Sequence, residues 1–122
     1  MKNQKSIEEN WTCTDPDNFQ YGKQLSPTKF EFREYDRHIA DNKFFKLKEM
    51  PYKEAKTEIE ADWNCSDFWQ ESTIDLADYD NQMIREFISG YYESLEALIE
   101  IYGDQSNWII AECIFEQESG QY

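Results

Sequence analysis

Polar and aromatic residues alternate from Thr28 to Asp36, with Phe30, Phe32 and one more ring at Tyr35. A period of two with aromatic enrichment predicts a half-buried strand. Residues 43–50 also alternate from Phe45 onward and predict a second strand, joined to the first through the turn-like Ala40-Asp41-Asn42 as a hairpin. Residues 19–24 predict a third strand, ended by the Ser26-Pro27 break. Pro51 then suits the first turn of a helix over residues 51–62, where Lys, Glu and Ala are abundant and Ala55 and Ile59 make a narrow apolar stripe. Residues 63–69 form an aromatic link, and residues 72–76 a short strand.

From about Asp80 to Tyr102 the period changes to that of a helix. At 100° per residue, Ile84, Phe87, Ile88, Tyr91, Leu95, Leu98, Ile99 and Tyr102 share a face about 120° wide. Glu86, Glu93, Glu96, Glu100 and, at the margin, Asp104 lie opposite. Gly103 supplies the stop, and Ser89-Gly90 marks a candidate kink. Residues 108–115 are almost continuously apolar, which periodicity alone assigns neither to a buried helix nor to a central strand. Ala111, Glu112, Cys113 and a cap at Ser106 favour a helix over 106–118. The expected fold is α+β: a small antiparallel sheet of two to four strands in the N-terminal half, packed against two or three helices, the longest at about 80–102. Residues 1–18 read as a loose polar arm anchored by Trp11, and residues 19–122 as a single domain.

Composition changes this picture little. Aromatics are 16% of the 122 residues, too many for a disordered acidic tail. Cys13, Cys65 and Cys113 are odd in number and without CxxC spacing, which suits reduced thiols in the cytoplasm. Residues 1–8 lack the apolar core of a secretory leader, and no run approaches the roughly 20 apolar residues of a membrane span.

Charge changes it more. The chain carries 26 acids and 12 bases, a net −14. Residues 1–56 hold 10 acids and 11 bases, whereas residues 57–122 hold 16 acids and one base, Arg85. Such asymmetry points either to a solvated face or to an interaction surface.

The chain carries no recognisable catalytic signature. His38 is the sole histidine and its neighbours form no nucleophile motif. No spacing suits zinc, and Asp15-Pro16-Asp17 and Asp78-Tyr79-Asp80 lack the glycine and glutamate of a calcium loop. The four glycines form no phosphate cradle, so neither metal nor cofactor is expected. Lys43, Lys46, Lys48, Lys53 and Lys56 alternate with acids or apolar residues, which disfavours direct nucleic-acid binding.

The expected function is therefore a non-enzymatic acidic inhibitor. It would bind the basic surface of a nucleic-acid-acting enzyme, as anti-restriction, anti-CRISPR or nuclease-immunity proteins do, including by mimicry of DNA. The contact residues expected are Asp62, Asp67, Glu71, Asp75, Asp78, Asp80, Glu86, Glu93, Glu96, Glu100 and Asp104. Five acids over 27 Å of helix are fewer than the roughly sixteen phosphates of an equal length of duplex, so mimicry requires the acids at 62–80 to join them. One alternative is an interaction module presenting Trp63, Phe68, Trp69 and Trp108. Another is an enzyme built on paired carboxylates.

Overall fold

The computed structural model describes residues 7–118 and has the expected α+β class. Four strands, β1 (Thr12–Asp15), β2 (Gln20–Gln24), β3 (Lys29–Tyr35) and β4 (Trp69–Asp75), form one antiparallel sheet in the order β1-β2-β3-β4. Seven α-helices are described: α1 (Ile7–Asn10), α2 (Arg37–Ala40), α3 (Asn42–Glu49), α4 (Tyr52–Ala61), α5 (Asn81–Ile88), α6 (Leu95–Tyr102) and α7 (Ser106–Glu118). Among the described residues, no helix is long and apolar enough to cross a membrane.

The chain divides into two compact units. Among the described residues, 7–23 and 33–71 make up the first and 24–32 and 72–118 the second. Each has its own core. In the first, Phe19, Tyr21, Tyr35, Phe44, Leu47, Ile59, Trp63 and Trp69 are buried together. Residues 7–18 belong to this unit and are built into it: Ile7 is fully buried, and Trp11 meets Trp63 edge-on at 5.4 Å. Trp11 meets its ring partner far along the chain, which a local pattern does not show.

The hairpin also differs from expectation. Strand β3 pairs with β2: the Leu25 and Ser26 amides both donate to the Lys29 carbonyl, and the Ser26 hydroxyl accepts from the amides of Thr28 and Lys29. Residues 43–50, expected as a strand, form α3. Strand alternation would bury Phe45 with Leu47. The helix instead buries Phe44 with Leu47, three residues apart, and leaves Phe45 60% exposed. Lys and Glu are good helix formers, so nothing local opposes this choice. The Asp36 carboxylate starts α2 by accepting from the amides of His38 and Ile39, which leaves His38 on the surface. Helix α4 begins after Pro51 as expected and buries Ala55 and Ile59.

The second unit is built around α7. Phe32 stacks on Phe115 at 5.1 Å, and Trp108 meets Phe30 edge-on at 5.4 Å, which seats the helix on β3. Ile110, Ala111, Cys113, Ile114 and Phe115 are all buried, so the apolar run is a helix enclosed on several sides. Ser106 is its first residue, and its hydroxyl donates to the Gly103 carbonyl.

The single long helix expected at 80–102 is two helices. The Asp80 carboxylate caps α5 through the Met83 amide, and the Ser94 hydroxyl caps α6 through the Ala97 amide. Between them the Ile88 carbonyl accepts from the amides of Tyr91 and Tyr92. One continuous helix would run about 33 Å, whereas α7 is about 20 Å long. Breaking at Ser89-Gly90 lets α5 and α6 both pack on α7. Ile84, Ile88, Leu95 and Leu98 stay buried, but Tyr91, Ile99 and Tyr102, assigned to the same face by the helical period, become exposed.

Two backbone positions set up a stability test. Asp41 takes φ 53°, ψ −123°, and Gly103 takes φ 54°, ψ −120°, a region that glycine enters freely and an L side chain enters only with strain of about 1–3 kcal/mol. The Asp41 side chain makes no capping bond. Urea denaturation is expected to show Asp41→Gly stabilised by about 1 kcal/mol and Gly103→Ala destabilised by a similar amount. A second check uses Cys113, whose thiol burial pushes up to about 12, with Glu116 and Glu112 adding to the effect. Thiol reagents are expected to modify Cys113 only when the protein unfolds.

Candidate functional site

The fold redistributes the charge read along the sequence. Residues 57–71, with five acids, belong to the first unit beside the lysine-rich helices. The described residues of the first unit thus carry 14 acids and 8 bases, net −6. The second carries 12 acids and two bases, Lys29 and Arg85, net −10.

Of the expected contact residues, Asp62, Asp67 and Glu71 lie in the first unit and the other eight in the second. The structure does not gather all eleven in one unit, and several are engaged within the fold. Asp62 accepts from the Tyr35 hydroxyl and pairs with the Lys43 ammonium. Burial, then the bond to Asp62, pushes the Tyr35 hydroxyl pKa up, so it stays a donor. Glu71 pairs with Arg33 at 2.6 Å. Asp75 accepts from the Thr28 hydroxyl and the Ala77 amide, Asp80 caps α5, and Glu86 accepts from Gln82. Glu96 receives both terminal nitrogens of Arg85, at 3.0 and 2.6 Å. Asp67, Asp78, Glu93, Glu100 and Asp104 are exposed.

On the α6 wheel, Glu96 and Glu100 occupy the middle of the solvent arc. Ile99 at one edge is 48% exposed and Ile101 at the other is 70% exposed. Glu93 and Asp104 flank the helix, as do the exposed Tyr91 and Tyr102. The candidate site is therefore a mixed acidic and apolar surface. Its apolar members escape a reading that extends one helical face through residues 89–94. The signal available was Ile101, which lies off the core arc of a segment already supplied with Leu95 and Leu98.

Trp63 and Trp69 are buried, and Phe68 and Trp108 are half-buried, so these four rings do not make an exposed patch. Trp63 and Trp69 serve the first core, where the Arg33 guanidinium lies 4.2 Å from the Trp63 ring centre and 4.9 Å from that of Trp69. Glu71 and the ring faces together compensate a cation that is 12% exposed. No sequence motif marks this cage.

Hollows among the described residues include two of note. One, of about 200 Å³, is lined by Pro16, Asp17, Phe19, Leu47, Lys48, Met50 and Tyr52. The other, of about 310 Å³, is lined by Met83, Glu86, Phe87 and Gln117. Neither brings two carboxylates together. Among the described residues, no group of three or more His, Cys, Asp or Glu is placed to hold a metal ion.

Comparison with protein-family models, with curated proteins and with solved structures finds no match.

The Arg85–Glu96 pair is directly testable. The bond from Arg85, helped by a backbone bond, lowers the Glu96 carboxyl to about 2. A depressed carboxyl stabilises the fold above its ordinary range, and that contribution is lost as pH falls through about 2. Carboxyl NMR titration is expected to place Glu96 near this value and, in Arg85→Ala, to raise it toward the ordinary carboxylate range, with the backbone bond still holding it somewhat low.

Proposed function

We propose that this chain is a small cytoplasmic binding protein whose second unit engages, and thereby inhibits, the basic surface of a nucleic-acid-acting enzyme. The observation that carries this reading is the net −10 of that unit, in which one of the two bases, Arg85, is held by Glu96. A cleft that binds phosphates attracts such a unit by the same electrostatics. Isoleucines at both edges of the α6 acids add contact area that a phosphate backbone lacks. Recognition of this kind uses a protein-like surface and does not require the charge spacing of a duplex. Asp62 and Glu71 are paired with bases in the first unit and add little to an imitation of DNA.

The test is calorimetric titration against a restriction endonuclease, a CRISPR effector nuclease and a nuclease toxin, each with and without its nucleic acid. At least one is expected to bind, in competition with its nucleic acid. Affinity should fall about tenfold or more as salt rises by a few hundred millimolar, because Debye screening weakens exposed charge pairs. Replacing Glu93, Glu100 and Asp104 by neutral amides should weaken that binding. No binding at low salt, or affinity indifferent to salt, removes the reading.

A further inference from the structure

Two surface patches leave large apolar side chains in solvent, and their charges are opposite. The first lies on α2 and α3, which pack against each other. Ile39 is 54% exposed and Phe45 60% exposed. On the α3 wheel Phe45 falls between Lys48 and Lys46, with Glu49 as the one acid on that arc. Residues 37–49, the span of α2 and α3, carry four bases to two acids, Asp41 and Glu49. Lys43 is already taken by Asp62, but Lys46 and Lys48 are exposed. The second patch is α6, where Glu96 and Glu100 lie between Ile99 and Ile101. One surface is a ring between lysines, and the other is a pair of acids between isoleucines. Opposed, they bring a lysine to Glu100, since Glu96 is held by Arg85, and the phenylalanine to aliphatic side chains.

We propose that a second copy of this chain is the occupant of the α6 surface, docking there through its α2–α3 patch. Charge complementarity selects the copy, since the residues that would pair are carried by every chain. The opposing force is the net −14 on each molecule. At physiological ionic strength screening acts beyond about 8 Å, so long-range repulsion fades while contact pairs persist. A patch of a few side chains on each partner falls in the weak class of interface. The association is therefore concentration-dependent and passes through an optimum in salt: repulsion opposes it at low salt and screening of the contact pairs at high salt. It does not depend on the enzyme reading above, and each stands or falls by its own measurement.

The experiment is sedimentation velocity on the purified full chain, over a hundredfold concentration range up to about 1 mM at moderate salt. Lys46→Glu and Glu100→Lys are both exposed surface changes, and circular dichroism confirms that each folds. The wild type is expected to associate reversibly, each variant alone to remain monomeric, and their equimolar mixture to associate as the wild type does. The mixture recovers because Lys46 of one variant meets Glu100 of the other. Phe45→Ser, which leaves the charge unchanged, is expected to weaken association about tenfold. A wild type that stays monomeric throughout overturns the proposal, as does association that survives both single charge reversals or a mixture that fails to recover.

Discussion

The seating of α7 on β3 is the contact on which the second unit depends. Phe32 stacked on Phe115, and Phe30 against Trp108, each remove a large apolar surface from water. Burial of a ring of this size contributes about 1.5–3 kcal/mol, with roughly 0.5–1.5 kcal/mol more for the ring pairing. The rest follows from the length of α7. A helix of 13 residues offers room for two short helices side by side, so the apolar period of residues 80–102 is folded into α5 and α6. That break creates the proposed binding surface, because it turns Tyr91, Ile99 and Tyr102 out of the core.

The acidity of this chain is partly structural. Asp15, Asp36, Asp75 and Asp80 accept backbone amides at the starts of helices or helical turns, where the partial positive charge of the helix terminus favours a carboxylate. Asp62, Glu71 and Glu96 each meet a cation. The carboxylates left to a partner are a smaller set than net charge suggests: Glu93, Glu100 and Asp104 around α6, with Asp67 and Asp78 elsewhere on the surface. Exposed charges of this kind govern encounter and salt dependence more than they govern the strength of a formed contact. The isoleucines beside them therefore matter to any account of what the surface binds.

The first unit follows a different logic. Its core is mainly rings, with Tyr21, Trp63, Trp69 and Tyr35 meeting edge-on. A cation at its margin, Arg33, is tolerated because ring faces and Glu71 replace its water. The lysines of α3 and α4, five of the chain's 12 bases, lie in this unit. The charge boundary between units consequently falls elsewhere than the midpoint of the sequence suggested.

Local pattern alone was enough for the elements whose environment is one-sided. Alternation placed β3, the Ser26-Pro27 break ended β2, Pro51 opened α4, and the α+β class followed, whereas the turn expected at Ala40-Asp41-Asn42 joins two helices. The excess of acids was also legible. Tertiary structure decided the remainder. Residues 43–50 carry apolar side chains compatible with either period, and burial of Phe44 with Leu47 selects the helix. Residues 80–102 satisfy one long helix, and only the length of α7 shows why there are two. Residues 7–18 carry too few apolar groups to declare themselves, and Trp11 acquires a role only against Trp63. Which acids are used internally depends on Lys43, Arg33 and Thr28, each tens of residues away in sequence. A period records which side chains share a face, but the partner of that face is supplied from elsewhere in the chain, and the partner decides what is buried and what is left to bind.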